Sequence, residues 1–244
     1  MEVSVWFQES RSVLRHLKDY PYGIGKSDEI NLQEMNYNPL VLVHGFSSNH
    51  SIWKPLSTRF ELLGWNNVYR FNYHVFRSSI RSIVLDFERY MRDLIVAYDN
   101  KVSLIGHSLG GIVIRDWVTR RSNAQWVDKV VTIGSPNSGS KIAHVGRLLP
   151  CRTRKIAKEL IPGSDYLNEL NSRPQPKEVK WCVICSDKDE LLYPVNSALY
   201  PKGWDYTQMT LKKMGHIYLA YSIETTLLCH KFLSLKQKEE KECI

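Results

Sequence analysis

The apolar and polar positions divide the chain into short buried strands and amphipathic helices. Pro39-Leu40-Val41-Leu42-Val43-His44-Gly45-Phe46 is a continuous apolar run ending in His-Gly, the pattern of a strand buried on both faces of a parallel sheet. Asn67 to Tyr73 reads as the next strand, and Trp53 to Leu63, closed by Gly64, as the helix between them. From Ile80 to Tyr98 the residues Ile80, Ile83, Val84, Phe87, Met91, Leu94 and Ile95 share one helical stripe. Glu88 with Arg92 and Arg89 with Asp93 stand four apart on the other side, spaced for ion pairs. Lys101 to Ile105 is a further short strand, followed by a helix to about Arg120 and a strand at Val127 to Ile133. Strand candidates resume at Val179 to Cys185 and Tyr206 to Lys212, and a last helix runs from about Tyr218 to Leu235. Strands alternating with helices at this spacing predict an α/β domain with a mostly parallel central sheet.

Two segments depart from the alternation. Val3, Trp6, Phe7, Ser10, Leu14 and Leu17 fall at helical spacing, with Arg11, Arg15 and Lys18 among the polar positions. A helix of this kind can lie on a membrane surface; the expectation is that it packs on its own domain. Residues 19 to 38 carry glycines, prolines and asparagines and read as loop. Residues 137 to 178 mix Ile142, Val145, Ile156, Leu160 and Ile161 with Lys141, Arg147, Arg152, Arg154, Lys155 and Lys158, and Pro150 and Pro162 divide them into short pieces. The reading is a small helical cap inserted between two sheet strands, against the plainer alternative of a solvated excursion. The whole 244 residues then form one domain with an N-terminal extension (1–38), the cap (137–178) and a charged tail (236–244).

Composition narrows the picture. Hydrophobic residues make up 43% and charged residues 24%, as in an ordinary globular protein. No apolar stretch reaches membrane-spanning length, and the early Glu2 with no apolar core after it argues against a signal peptide. A cytoplasmic protein is expected, with peripheral membrane contact. The five cysteines are an odd set without framework spacing, and Cys182 and Cys185 lie within a predicted strand, so they are expected to be free core thiols rather than metal ligands. The net charge of +8 favours an anionic partner. In the absence of a nucleic-acid-binding motif, that partner is expected to be an anionic lipid surface rather than nucleic acid.

The candidate chemistry centres on Gly106-His107-Ser108-Leu109-Gly110, a G-x-S-x-G pattern between a predicted strand and a predicted helix. In that setting a sharp turn projects the serine hydroxyl above the sheet, beside the positive end of the helix. A serine needs a base to take its proton. In such folds the partners follow in the order serine, acid, histidine. Gly215-His216-Ile217 follows the last strand, so His216 is the expected base; His44 and His107 sit inside other motifs and read as supporting residues. The acid comes from Ser186-Asp187-Lys188-Asp189. Asp189 is preferred because Leu191-Leu192 follows it, as a turn re-entering the core requires, and Asp187 stays as the alternative. The oxyanion hole needs two backbone N–H groups, expected from Leu109 and from Phe46 in the loop after the first strand.

Together these residues resemble the α/β-hydrolase superfamily and, within it, the small bacterial-type lipases and esterases. His44-Gly45-Phe46-Ser47-Ser48 with Trp53 is similar to their oxyanion segment, and Gly106 to Gly111 to their elbow. Thr132 to Ser140 is similar to their T-x-G-[ST]-P-x-x-G-S stretch. Pro162 to Leu167 is similar to a cap segment, and Gly215-His216-Ile217 with Leu219 to their histidine loop. The resemblance covers about Pro39 to Leu235 and implies hydrolysis of carboxylic esters of apolar acyl chains through an acyl-enzyme. No cofactor or metal is implied. The first 38 residues match nothing in the family. An acyltransferase or thioesterase using the same triad is the alternative, and a non-catalytic lipid- or partner-binding protein a lesser one.

Overall fold

The computed structural model describes residues 3–31, 36–46, 48–74, 79–120, 122–148, 151–192 and 194–235. Six strands, β1 (Leu40–Val43), β2 (Val68–Phe71), β3 (Val102–His107), β4 (Val127–Ile133), β5 (Lys180–Ser186) and β6 (Thr207–Leu211), form one sheet in the order β2-β1-β3-β4-β5-β6. All five neighbouring pairs are parallel. The expected sheet was mostly parallel; the described one is wholly so.

A parallel sheet must be covered on both faces, and alternate strand residues divide between two cores. Val41 and Val43 join the apolar cluster that includes the inner faces of α3 (Ile80–Tyr98) and α4 (Leu109–Val118). Leu40 and Leu42 join a second cluster with α2 (Lys54–Leu62), α7 (His216–Tyr221) and α8 (Ile223–Ser234). The stripe predicted for α3 is the one buried, and a reciprocal Ser79–Ser82 capping box starts the helix. On its outer face Arg89 pairs with Asp86, three residues back, at 2.9 Å, not with Asp93 as the spacing suggested. Side chains on a helix lean toward its N-terminus, which puts the i−3 partner within reach. Cys182, Cys185 and Cys229 are free and buried, and burial lifts the Cys182 thiol to about 12.

Between β4 and β5 lie a 3₁₀ segment (Lys141–Leu148), α5 (Cys151–Glu159) and α6 (Asp165–Ser172). Two buried charges on α4 tie this insertion down. Asp116 accepts from Arg120, from Arg173 just after α6 and from the Tyr166 hydroxyl on α6. The Arg115 guanidinium donates to Asn137 O, Leu170 O and Asn171 Oδ1, and lies 4.9 Å over the Trp204 ring.

Two expectations need correction. The last helix is not continuous from Tyr218 to Leu235. It breaks at Ser222, whose extended backbone ends α7 and whose hydroxyl caps α8 by accepting the Thr225 N–H at 3.3 Å. Helix α1 (Val3–Asp19) forms where predicted, but the face it buries is Val5, Glu9, Ser12 and His16; Val3, Trp6, Phe7, Leu14 and Leu17 of the predicted apolar stripe are exposed. The charged tail at 236–244 lies outside the described residues. Among the described residues no helix is long and apolar enough to cross a membrane.

Candidate active site

The β3–α4 junction places Ser108 at the end of the fully buried central strand. Its backbone has φ 53° and ψ −124°, a region that costs a non-glycine residue on the order of 1–3 kcal/mol. The surroundings hold it there: Ser108 N–H donates to Ile133 O at 2.9 Å, and Gly111 N–H donates to Ser108 O at 3.1 Å. The turn is also too close to β1 for a side chain. A Cβ on Gly110 would lie 2.0 Å from Val43 O.

The loop after β6 brings His216 to the same end of the sheet. Its Nδ1 lies 2.8 Å from Asp189 Oδ2 and 3.0 Å from Oδ1, and both side chains are almost completely buried. Asp189 is itself held by the turn after β5, where Oδ1 accepts the N–H groups of Leu191 and Leu192 at 3.0 and 3.1 Å. Asp187, the alternative acid, accepts the Lys213 N–H at 2.7 Å and so pins the start of the histidine loop instead. Burial pushes the His216 imidazole down, but the charge and hydrogen bond of Asp189, joined by the charges of Glu190 and Glu9, outweigh it and hold the ring above its ordinary value. A ring fixed by Nδ1–H to a carboxylate presents Nε2 as an acceptor, the form a general base requires.

Two further carboxylates at this point were not found from the sequence. Helix α7 begins at His216, so its first N–H groups have no partner within the helix. Glu190 accepts the N–H of His216 at 3.1 Å, and Glu9, reaching from α1, accepts those of Ile217 and Tyr218 at 2.8 and 2.9 Å. Burial raises the Glu9 carboxyl to about 7 against the pull of the Tyr218 N–H, and the charge of Glu190 adds to the rise. Glu190 stands next to the predicted acid, and its acceptor role depends on the His216 N–H 26 positions along the chain. Glu9 had no local signal, because its partner is 208 residues away.

His44 and His107, the two other histidines of these motifs, bond to backbone groups. His44 is fully buried and titrates near 3, chiefly through burial. It stacks on Tyr73 with ring centres 4.0 Å apart. Its Nδ1–H donates to Gly45 O at 2.9 Å and its Nε2 accepts the Tyr73 N–H at 3.2 Å, a single consistent neutral tautomer. Because a trans peptide directs its C=O and N–H to opposite sides, tying down Gly45 O also sets the direction of the Phe46 N–H. Gly45 abuts the serine: a Cβ there would lie 2.8 Å from Ser108 Cβ. His107 donates from Nε2 to His216 O at 3.0 Å, linking the residue before the serine to the histidine loop. Leu109 is the first residue of α4, so its N–H is one of those a helix start leaves without an intrahelical partner.

Ser108 and His216 open onto one cavity of about 300 Å³. Phe46, Pro136 and Leu192 line it from the sheet side, and Ala143, Ile156 and Leu160 from the insertion. Its walls are overwhelmingly apolar, which suits a hydrocarbon chain. Among the described residues no group of three or more His, Cys, Asp or Glu side chains is placed to hold a metal ion.

Residues 37–227 match the family model described as lipase (class 2). No curated protein sequence matches the chain. Among solved structures, the chain is similar to the Bacillus licheniformis lipase BlEst2 in mature form, with a TM-score of 0.70 and 15% identity over 85% of this chain and 96% of that one. It is similar to the monoacylglycerol lipase of Paleococcus ferrophilus, with a TM-score of 0.58 and 18% identity over 81% of this chain and 95% of that one. Phospholipase PlaB of Legionella pneumophila, in complex with thio-NAD, gives a TM-score of 0.56 and 23% identity over 62% of this chain and 38% of that one. At these identities the likeness is one of fold, and the fold is that of the α/β-hydrolases.

Proposed function

The chain belongs to the class 2 lipase family, and from that premise we propose that it hydrolyses carboxylic esters of apolar acyl chains through an acyl-enzyme on Ser108. The observation that carries the proposal is the 2.8 Å contact between His216 Nδ1 and Asp189 at the cavity onto which the strained Ser108 also opens. In this reading Ser108 Oγ attacks the ester carbonyl carbon and His216 Nε2 takes the hydroxyl proton. The tetrahedral intermediate collapses, the C–O bond to the alcohol breaks, and His216 returns the proton to the departing alkoxide. Water, deprotonated by His216, then attacks the acyl-enzyme and regenerates the serine. Asp189 holds the imidazole in its working tautomer and stabilises the imidazolium. The N–H groups of Phe46 and Leu109 receive the oxyanion, a contribution on the order of a hundredfold in rate for each donor.

The substrate class follows from the apolar walls of the cavity, with the insertion serving as its cap. Lys155 and Lys158 are exposed on the insertion, and in this reading they favour an anionic lipid surface beside the cavity, each worth about 1 kcal/mol there.

The test is hydrolysis of p-nitrophenyl esters of short, medium and long chain by wild type and Ser108→Ala. Turnover that disappears with the hydroxyl, and a preference for chains long enough to fill the cavity, are expected. Turnover indifferent to Ser108 would refute the mechanism. Release of acyl product only when an alcohol acceptor is supplied would identify a transferase.

A further inference from the structure

Helix α1 lies outside the residues that match the family, and its burial is inverted. A helix that packs on its domain buries its apolar stripe. This one buries Val5 with the polar Glu9, Ser12 and His16, all at most 9% exposed, and leaves Trp6, Phe7, Leu14 and Leu17 between 61% and 66% exposed. The buried polar strip is the part that reaches the site, since Glu9 carries the bonds to Ile217 and Tyr218 at the start of α7. The exposed stripe therefore faces away from α7 on a helix that is anchored to the histidine loop.

Charge indicates what covers that stripe. Arg11 and Lys18 are exposed along its margin, and the Arg11 guanidinium lies 5.6 Å over the Phe7 ring. The acids of the described helix do not offset them: Glu9 is buried, and Asp19 pairs with Arg15 at 3.7 Å. An apolar stripe carrying two aromatics and flanked by cations is the composition that lies in the headgroup region of an anionic bilayer. A second copy of the chain fits less well, because a two-fold pairing of this face would bring like charges of the two copies together.

We propose that α1 docks the protein on anionic lipid bilayers, with Trp6, Phe7, Leu14 and Leu17 entering the acyl boundary and Arg11 and Lys18 contacting anionic headgroups. Docking on this helix sets lipid against the side of the domain where Glu9 holds the start of α7. The inference rests on the lipid-ester reading of the site, but its test does not require turnover.

Full-length Ser108→Ala protein is sedimented with vesicles of phosphatidylcholine alone and of phosphatidylcholine with phosphatidylglycerol. Strong binding to the anionic vesicles is expected. Each cation near such a surface is worth roughly fivefold in partition, so Arg11→Glu with Lys18→Glu lowers it by tenfold or more. Trp6→Ser with Leu14→Ser lowers it similarly, since burying one large apolar side chain is worth about tenfold. The same pairs in the wild-type background keep full turnover of a soluble short-chain ester, which confirms that they are folded. Unchanged vesicle binding in both pairs would overturn the proposal. A wild-type dimer that the Trp6 and Leu14 substitutions convert to monomer would overturn it in favour of self-association. Absence of ester turnover with intact vesicle binding would instead count against the hydrolase reading alone.

Discussion

Glu9 Oε1 accepts the backbone N–H of Ile217 at 2.8 Å, a bond between the first described helix and the residue after the proposed base. The Glu9 carboxylate and Gly215 are in close contact: a Cβ on Gly215 would lie 2.3 Å from Glu9 Oε2. The N-terminal extension is thus part of the frame of the histidine loop.

Removing that frame has two separable effects. Glu9→Ala leaves two partly buried N–H groups without acceptors, at a cost of about 1–3 kcal/mol, and a fall in kcat larger than any change in KM is expected because His216 loses its position. Glu9→Gln keeps one acceptor oxygen and should retain most of the activity. The carboxyl titrates near 7 in the fold against an ordinary 4.5. The stabilisation it confers is therefore complete below about 4.5 and lost as the pH rises through 7. Melting temperatures measured from pH 5 to pH 8 should show wild type losing ground to Glu9→Gln, and parallel curves would contradict the assignment.

Asp189 and Asp187 should separate cleanly. Asp189→Asn leaves the His216 ring without its carboxylate, and kcat is expected to fall on the order of a thousandfold or more. Asp187→Asn keeps an acceptor for the Lys213 N–H and should stay within about threefold of wild type, since only one loop bond is weakened. Because Asp189, with Glu190 and Glu9, outweighs burial and holds the imidazole above its ordinary 6.5, the acidic limb of kcat/KM should lie above that value. Activity is lost as the pH falls through it, since the protonated ring cannot act as base.

Gly45→Ala tests the approach of the first loop to the serine. The added methyl would meet Ser108 Cβ at 2.8 Å and His107 O at 3.2 Å, atoms of a turn that cannot yield. Phe46 is displaced with the loop, so a loss of a hundredfold or more in kcat is expected, with a melting temperature lowered by a few degrees. Near-normal turnover would remove the Phe46 N–H from the proposed oxyanion hole.

Asp116→Asn should loosen the insertion. Burial alone would raise the Asp116 carboxyl, but the hydrogen bonds of Arg120, Arg173 and Tyr166 bring it below its ordinary value. Its stabilisation is present above about pH 4 and is lost as the pH falls through the depressed value. Neutralising it leaves two guanidinium groups without their shared anion, at a cost of about 3 kcal/mol near neutral pH. Limited proteolysis within 141–172 should accelerate in the variant, and an unchanged cleavage rate would show that the insertion is held by its apolar contacts alone.

Much of this arrangement was legible in the chain because its signals are local. The run Leu40 to Val43 and the strand before Ser108 announce buried parallel strands by their unbroken apolar character. The elbow is written in five consecutive residues. Asp189 could be preferred over Asp187 because the apolar pair Leu191-Leu192 follows it; in the fold only Leu192 enters the core, Leu191 being 37% exposed, and the N–H groups of both donate to Asp189. What was hidden depends on distant partners. The break at Ser222 was masked by apolar residues on both sides of it. The stripe of α1 gave the helix but not its buried face, because Glu9 is chosen by N–H groups more than 200 positions along the chain. The same holds for Glu190, whose partner is the His216 N–H, 26 positions along the chain.

The most direct measurement is covalent labelling by an organophosphorus ester, diethyl p-nitrophenyl phosphate, followed by intact mass and peptide mapping. The account predicts one diethylphosphoryl group per chain, located on Ser108, with p-nitrophenol released in equal amount. It predicts no label on Ser108→Ala and much slower labelling of His216→Ala. Label on another residue, or a rate unaffected by loss of His216, would contradict an activated serine at this site.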